Sequence, residues 1–224
     1  MIDTLEVATG PQPVASVIWL HGLGADGHDF AQIVPQLGIS KSIAVRFIFP
    51  HAPSMPISIN NGYVMPAWYD IAHPDLTHGE DEAGIRASQR EITELIQHEQ
   101  KRGVPASSIV LAGFSQGGAM ALHTGLRFPE RLAGIIALST YLPLKAGLET
   151  EAAAINGDLP IFMAHGTLDT VIPISKGITS RDILAKHGCQ VSWHEYLMAH
   201  SVCPAETIDI GTWLNQVLTS SIAV

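Results

Sequence analysis

The sequence predicts an α/β fold, a mainly parallel central sheet with helices on both faces. Two observations carry this. Short runs rich in Val, Ile and Leu alternate along the chain with segments of helical spacing, the rhythm of strand–helix–strand units. The strand runs are close to continuously apolar, as strands covered on both faces are. With 224 residues, 46% hydrophobic and 15% charged, the chain can bury a substantial core. No linker, internal repeat or low-complexity run divides it, so one domain over 1–224 is expected.

Val14 to Leu20 reads as a buried strand, broken by the glycine-rich His21-Gly22-Leu23-Gly24-Ala25-Asp26-Gly27. Ala44 to Phe49 is the next strand, closed by Pro50-His51-Ala52-Pro53. From Ser54 to His78 the periodicity disappears, and Asn61-Gly62 between Ile57-Ser58-Ile59 and Tyr63-Val64-Met65 signals a hairpin. Long irregular stretches in compact domains are often functional. This one reads either as a short flap over a site or as a packed surface excursion.

Gly79 to Arg102 carries the clearest helical pattern. Glu80, Asp81 and Glu82 stand at its start and Lys101 and Arg102 near its end, as the helix dipole favours. Ile85, Ser88, Ile92, Leu95, Ile96 and Glu99 form its inner stripe and Gly103 stops it. A strand over 108–113 follows, then a helix to about Arg127 with Met120 and Thr124 facing the core, and a strand from Leu132 to Leu138. Thr150 to Gly157 reads as a surface loop or short helix. Leu159 to Ala164 and Val191 to Met198 read as strands around a helix from Ile174 to Lys186. Pro204 opens the last helix, with Ile208, Trp213, Leu214 and Val217 at helical spacing.

The most informative stretch is Gly113-Phe114-Ser115-Gln116-Gly117. A serine between two glycines, after a strand and before a helix, suits a nucleophile elbow, in which the chain reverses so sharply that flanking side chains would collide. A plain Gly/Ser turn shares the pattern. Serine needs a base and the base an orienting carboxylate. Asp169 and His200 each follow a strand run directly and lie in the order such sites require. Asp182 and Asp209 fall within helical patterns and read as solvent-facing; His187 and His194 read as structural or exposed, and His165 as a packing or loop-stabilising residue. The Gly22–Gly27 loop lacks the lysine and the spacing of phosphate-binding loops. Beside an activated serine it would offer the Leu23 N–H, with that of Gln116, to a developing oxyanion.

The formal charge of −9 excludes a nucleic-acid partner and binding to anionic membrane by charge alone. No apolar run reaches the roughly 20 residues of a membrane span, and Met1 to Glu6 has no leader character. Cys189 and Cys203 are the only cysteines, so a reducing, cytoplasmic location is expected. With no H-E-x-x-H, no histidines at i, i+4 and no C-x-x-C, no metal site is expected, and no cofactor.

Leu20-His21-Gly22-Leu23-Gly24, Pro50-His51-Ala52-Pro53, Ala67-Trp68-Tyr69-Asp70, Gly113 to Met120, His165-Gly166-x-x-Asp169 and His200-Ser201-x-Cys203-Pro204 together resemble the carboxylesterase/acyl-protein thioesterase family, the phospholipase/carboxylesterase group of α/β-hydrolases. The resemblance runs from about Val17 to Leu214, and Gly24 to His28 reads closest to its bacterial branch. It implies an α/β-hydrolase fold with a flap over the active site, Ser115 as nucleophile, Asp169 as orienter, His200 as base, and Leu23 and Gln116 N–H as oxyanion hole. The implied substrate is an acyl ester or thioester, small, lipid or protein-borne, bound in a groove of Leu23, Met65, Trp68, Leu142 and Val171; a homodimer is plausible on the same grounds. Thr170 and Leu197 stand where the family often has proline, which puts the rigidity of the Asp169 loop in question. A lysophospholipase, a short-chain esterase and a catalytically silent binding protein are the rival readings.

Overall fold

Alternate residues of a buried strand point to opposite faces, and here both faces are covered. The computed structural model describes residues 1–76 and 78–222; Thr77, within the stretch read as a flap, lies outside the described residues. The strands are β1 (Thr4–Ala8), β2 (Ala15–Leu20), β3 (Val45–Pro50), β4 (Ser54–Ile57), β5 (Tyr63–Pro66), β6 (Ile109–Phe114), β7 (Gly134–Leu138), β8 (Pro160–Gly166) and β9 (Gln190–Tyr196). The helices are α1 (Glu82–Lys101), α2 (Gln116–Arg127), α3 (Leu148–Glu151), α4 (Ile174–Lys186) and α5 (Pro204–Ile222). Seven strands form one sheet in the order β1-β3-β2-β6-β7-β8-β9. β1 runs antiparallel to β3, and every other pairing in that sheet is parallel. This is the α/β-hydrolase architecture.

On one face Ile18, Leu20, Leu111, Ile135 and Met163 pack under Ile85, Ile92 and Ile96 of α1, Met120 and Leu122 of α2 and Leu184 of α4. On the other, Val17, Trp19, Phe47, Val110, Ile136 and Phe162 meet Ile210, Leu214 and Leu218 of α5. The parallel strands all end at the same edge of the sheet, where open α/β sheets place ligands. Six loops leave that edge: after Leu20, Pro50, Phe114, Leu138, Gly166 and Tyr196.

β1 was not legible from periodicity because it is a short edge strand, with Leu5 and Val7 only partly buried. Its Glu6 instead reaches Arg102, at 2.6 Å, and Arg46, at 3.7 Å. The hairpin differs from a two-residue Asn-Gly turn. Ile57 pairs with Tyr63, so the loop includes a 3-10 turn over Ser58–Asn60 before Asn61 (φ 54°) and Gly62 (φ 76°) reverse the chain. Ser58 N–H donates to Asp70 Oδ1 at 2.7 Å and Ile59 N–H to Ile71 O at 2.8 Å, which folds this hairpin onto the segment that follows it.

A buried carboxylate joins α1 to the sheet. Glu99, with its side chain 1% exposed, accepts from Ser16 Oγ of β2 at 2.5 Å, Arg46 Nη1 of β3 at 2.6 Å and Arg102 Nη1 at 3.0 Å. Removing it takes from the Arg46 guanidinium, 12% exposed, its 2.6 Å partner and leaves it facing Glu6 at 3.7 Å. Glu99→Ala is expected to cost about 3–5 kcal/mol, read as a lowered urea midpoint at unchanged slope.

Candidate active site

The elbow follows from steric crowding at the end of β6. Ser115 is held at φ 55°, ψ −121°, a sparsely populated region for a residue with a side chain. The strain is held by Ser115 N–H donating to Leu138 O at 2.9 Å, and by its carbonyl accepting from Ala119 N–H at 3.1 Å and Thr140 Oγ1 at 2.7 Å. A Cβ on Gly117 would overlap the Leu20 carbonyl, and one on Gly113 the Gly117 carbonyl; glycine is required at both positions.

His200 Nε2 lies 2.9 Å from Ser115 Oγ, and His200 Nδ1 lies 2.7 Å from Asp169 Oδ2. Asp169 is buried, and its other oxygen accepts the N–H groups of Val171 at 2.9 Å and Ile172 at 2.8 Å. Those bonds pin the carboxylate without help from residue 170, so Thr170 in place of proline leaves the loop anchored. With Nδ1–H donated to Asp169, the Nε2 lone pair faces the serine hydroxyl. His165 sits behind, its Nε2–H donated to Ile172 O at 2.8 Å. The His200 ring packs on Phe114, with centroids 4.7 Å apart.

The loop after β2 comes down on the elbow. A Cβ on Gly22 would stand 3.3 Å from the Phe114 ring and 3.4 Å from Ser115 Cβ. Gly24 N–H donates to Pro66 O at 2.9 Å and Ala25 N–H to Gly22 O at 3.3 Å; the loop's own bonding does not use the Leu23 N–H. Gln116 N–H, at the first position of α2, has no acceptor within the helix. His21 anchors the loop: Nδ1–H donates to Gly22 O at 2.7 Å, and Nε2 accepts Ala52 N–H at 3.1 Å. Burial holds its pKa below the ordinary imidazole value, which keeps the accepting nitrogen unprotonated.

A cavity of about 250 Å³ opens at this edge, walled by Leu23, Phe114, Tyr69, Ile71, Leu76 and Tyr141, with Ser115, Val171 and His200 also on its surface. Of the five side chains expected to line a groove, Leu23 and Val171 do so; Met65, Trp68 and Leu142 do not. Trp68 is 1% exposed, packs tilted against His21 with ring centroids 5.3 Å apart and donates its indole N–H to His21 O at 2.9 Å, which makes it the floor under the loop. Leu142 is buried, its N–H held by Ser180 Oγ of α4 at 2.8 Å. Met65 lies against Gly24 and receives Asn60 Nδ2 at 3.7 Å. In their place Tyr69 and Tyr141 share a hydroxyl–hydroxyl hydrogen bond of 2.8 Å. Burial raises both phenols, Tyr141 to about 12, so this wall stays neutral. The adjacent aromatics Trp68-Tyr69 were visible in the sequence, but not which of the two faces the cavity.

Two buried side chains here escaped sequence reasoning. Gln116 Oε1 accepts Trp68 N–H at 2.8 Å and its Nε2 donates to Tyr69 O at 2.7 Å, tying the irregular segment to the start of α2. Glu206, in the first turn of α5, accepts Cys203 N–H at 3.3 Å through Oε2, while Oε1 is buried without a partner among the described residues. Asp209, read as solvent-facing, has its side chain 45% exposed and also accepts Tyr196 Oη at 2.7 Å.

The phospholipase/carboxylesterase family profile matches residues 3–218. The chain belongs to that family. It is 46% identical over 211 residues to acyl-protein thioesterase 1 of Neurospora crassa, covering 90% of this chain and 86% of that protein. To acyl-protein thioesterase 1 of Mycosarcoma maydis it is 39% identical, with 94% of each chain covered. Among solved structures, acyl-protein thioesterase 2 of Zea mays superposes with a TM-score of 0.84 at 28% identity, over 97% of this chain and all 100% of that one. SOBER1 of Arabidopsis thaliana superposes at 0.85 and 28%, over 91% and 99%. The family is one of hydrolases, and this member is an ester- or thioester-cleaving enzyme. No helix among the described residues is long and apolar enough to cross a membrane.

Gln116→Leu is expected to leave the Trp68 N–H and Tyr69 carbonyl unpaired in the interior, costing about 3 kcal/mol and lowering the melting temperature by on the order of 10 °C, as differential scanning calorimetry would read. Burial raises the Glu206 carboxyl from 4.5 to about 8. Because the folded state favours the protonated form, its contribution is largest at acid pH and is lost as pH rises from about 4.5 to about 8. Glu206→Gln should flatten that decline, measured as melting temperature against pH.

Proposed function

We propose that Ser115, His200 and Asp169 act as nucleophile, base and orienter, and that the Leu23 and Gln116 N–H groups receive the oxyanion. The observation that carries this is the continuous chain of bonds from Ser115 Oγ through His200 to a buried carboxylate at 2.9 Å and 2.7 Å, opening on a largely apolar cavity. Ser115 Oγ attacks the acyl carbonyl as its proton passes to His200 Nε2. The carbonyl oxygen, now negative, sits against the two N–H groups, each worth about 2.7–4 kcal/mol in such sites. His200 returns the proton to the departing alkoxide or thiolate. Water, deprotonated by His200, then attacks the acyl-enzyme, and collapse releases the acid and restores Ser115.

A cavity of about 250 Å³ lies at or below the usual size of small-ligand pockets, which favours short acyl groups over long ones. Exposed Leu168 and Val171 flank the Asp169 loop and give the rest of an apolar or acylated-protein substrate a surface to rest on. A cytoplasmic setting fits the two free cysteines.

A fluorophosphonate label mapped by mass spectrometry tests the reading. Ser115 should carry the label, and Ser115→Ala should lose both label and turnover while keeping its melting temperature. Asp169→Asn should lower kcat by about 10⁴-fold, since the amide favours the wrong His200 tautomer. Unlabelled, well-folded wild-type protein, or turnover retained by Ser115→Ala, would overturn it. A p-nitrophenyl and thioester series should fall off as the acyl chain lengthens.

A further inference from the structure

One cluster of donor groups lies outside the machinery described above. Asp26 and His28, from the loop after β2, and His51, from the turn after β3, each bring a ligand atom within 4.8 Å of the other two. The His28 and His51 ring centroids are 5.3 Å apart. The backbone presents them together. Asp26 Oδ1 accepts the His28 N–H at 2.8 Å and lies 3.1 Å from His28 Nδ1. His51 is held by its own N–H donated to Asp3 O at 2.9 Å and by Gly27 N–H donated to its Nδ1 at 3.2 Å. A Cβ on Gly27 would overlap the Phe49 carbonyl, so the loop after β2 lies against the end of β3 with no room between them. The His28 and Asp26 side chains are 70% and 55% exposed, which leaves the third side of the cluster open to solvent.

Two imidazoles and one carboxylate with open positions is a donor set suited to zinc and neighbouring transition dications, and a poor one for calcium or magnesium, which take oxygen ligands. The net charge of −9 favours cation approach. Exposed side chains can close the remaining gap to coordination distance by rotamer change. His51 pays a particular toll. A neutral imidazole that ligates through one nitrogen carries its proton on the other, so whichever nitrogen of His51 takes the metal, Nδ1 can no longer accept the Gly27 N–H. Gly27 lies in the loop that carries Leu23.

We propose that Asp26, His28 and His51 bind a zinc-class dication, and that its binding loosens the Leu23 loop and slows hydrolysis. The binding stands apart from the catalytic assignment; only the effect on turnover rests on it.

Chelator-stripped protein titrated with zinc chloride, by isothermal calorimetry and equilibrium dialysis, tests the binding. The wild type should take up one ion per chain in its tightest class. His28→Ala and Asp26→Asn, both at exposed positions, should each weaken that class on the order of 100-fold, the upper end of what even indirect metal partners command. Ester turnover should fall with the same zinc midpoint as binding, and the midpoint should move with it in both variants. Unchanged zinc affinity in both variants would overturn the site, placing the ion elsewhere, such as the His73–His78 pair or His200. Binding lost in the variants but with no matching change in wild-type turnover would overturn the coupling to the loop.

Discussion

The close approach of two strand ends governs this molecule. β2 and β6 are neighbours in the sheet, and at the end of their pairing the Leu20 and His21 carbonyls lie where any Cβ on Gly117 would have to be. That contact sets the depth at which α2 docks, and through α2 the posture of Ser115. It also places the loop carrying Leu23 directly over Ser115, with Gly22 against its Cβ. The strained serine conformation is tolerated because the surroundings over-determine it: its N–H, its carbonyl and the helix after it are all committed elsewhere.

Around that contact, buried polar side chains serve as ties rather than as chemistry. Gln116, His21 and Trp68 form one bonded group that joins the start of α2, the loop after β2 and the segment after β5. Each is almost fully buried, so each bond is made in a low-dielectric setting where leaving it unmade is costly. The segment after the hairpin is therefore a wall of the cavity with fixed anchors, and its Tyr69 is aimed inward because Trp68, next to it, is pinned beneath the loop.

Most of the sheet was legible from the sequence, and for a plain reason: β2, β6, β7 and β8 are buried on both faces, so hydrophobicity alone marks them. β1 was not, because an edge strand with one carboxylate in two ion pairs has no such signature. The hairpin was legible as a reversal, but its register was not, since Asn61 and Gly62 supply the positive φ angles at the end of a longer turn rather than being the whole of it.

The site divides along the same line. Ser115, Asp169 and His200 could be singled out because strand-end position and chain order are properties of one dimension, as is the glycine spacing around the serine. The family, too, is written in contiguous motifs. What only the tertiary structure decided is which side chains share a cavity and which share a core. Trp68 and Tyr69 are consecutive and equally aromatic, yet one supports the Leu23 loop and the other faces the cavity. Asp26, His28 and His51 carry no recognisable spacing, and become neighbours because two loops leave adjacent parallel strands at the same edge of the sheet. Local sequence determines where a strand ends and what conformation the next residue can take; which groups then meet depends on strand order, a long-range property that no window of the sequence contains.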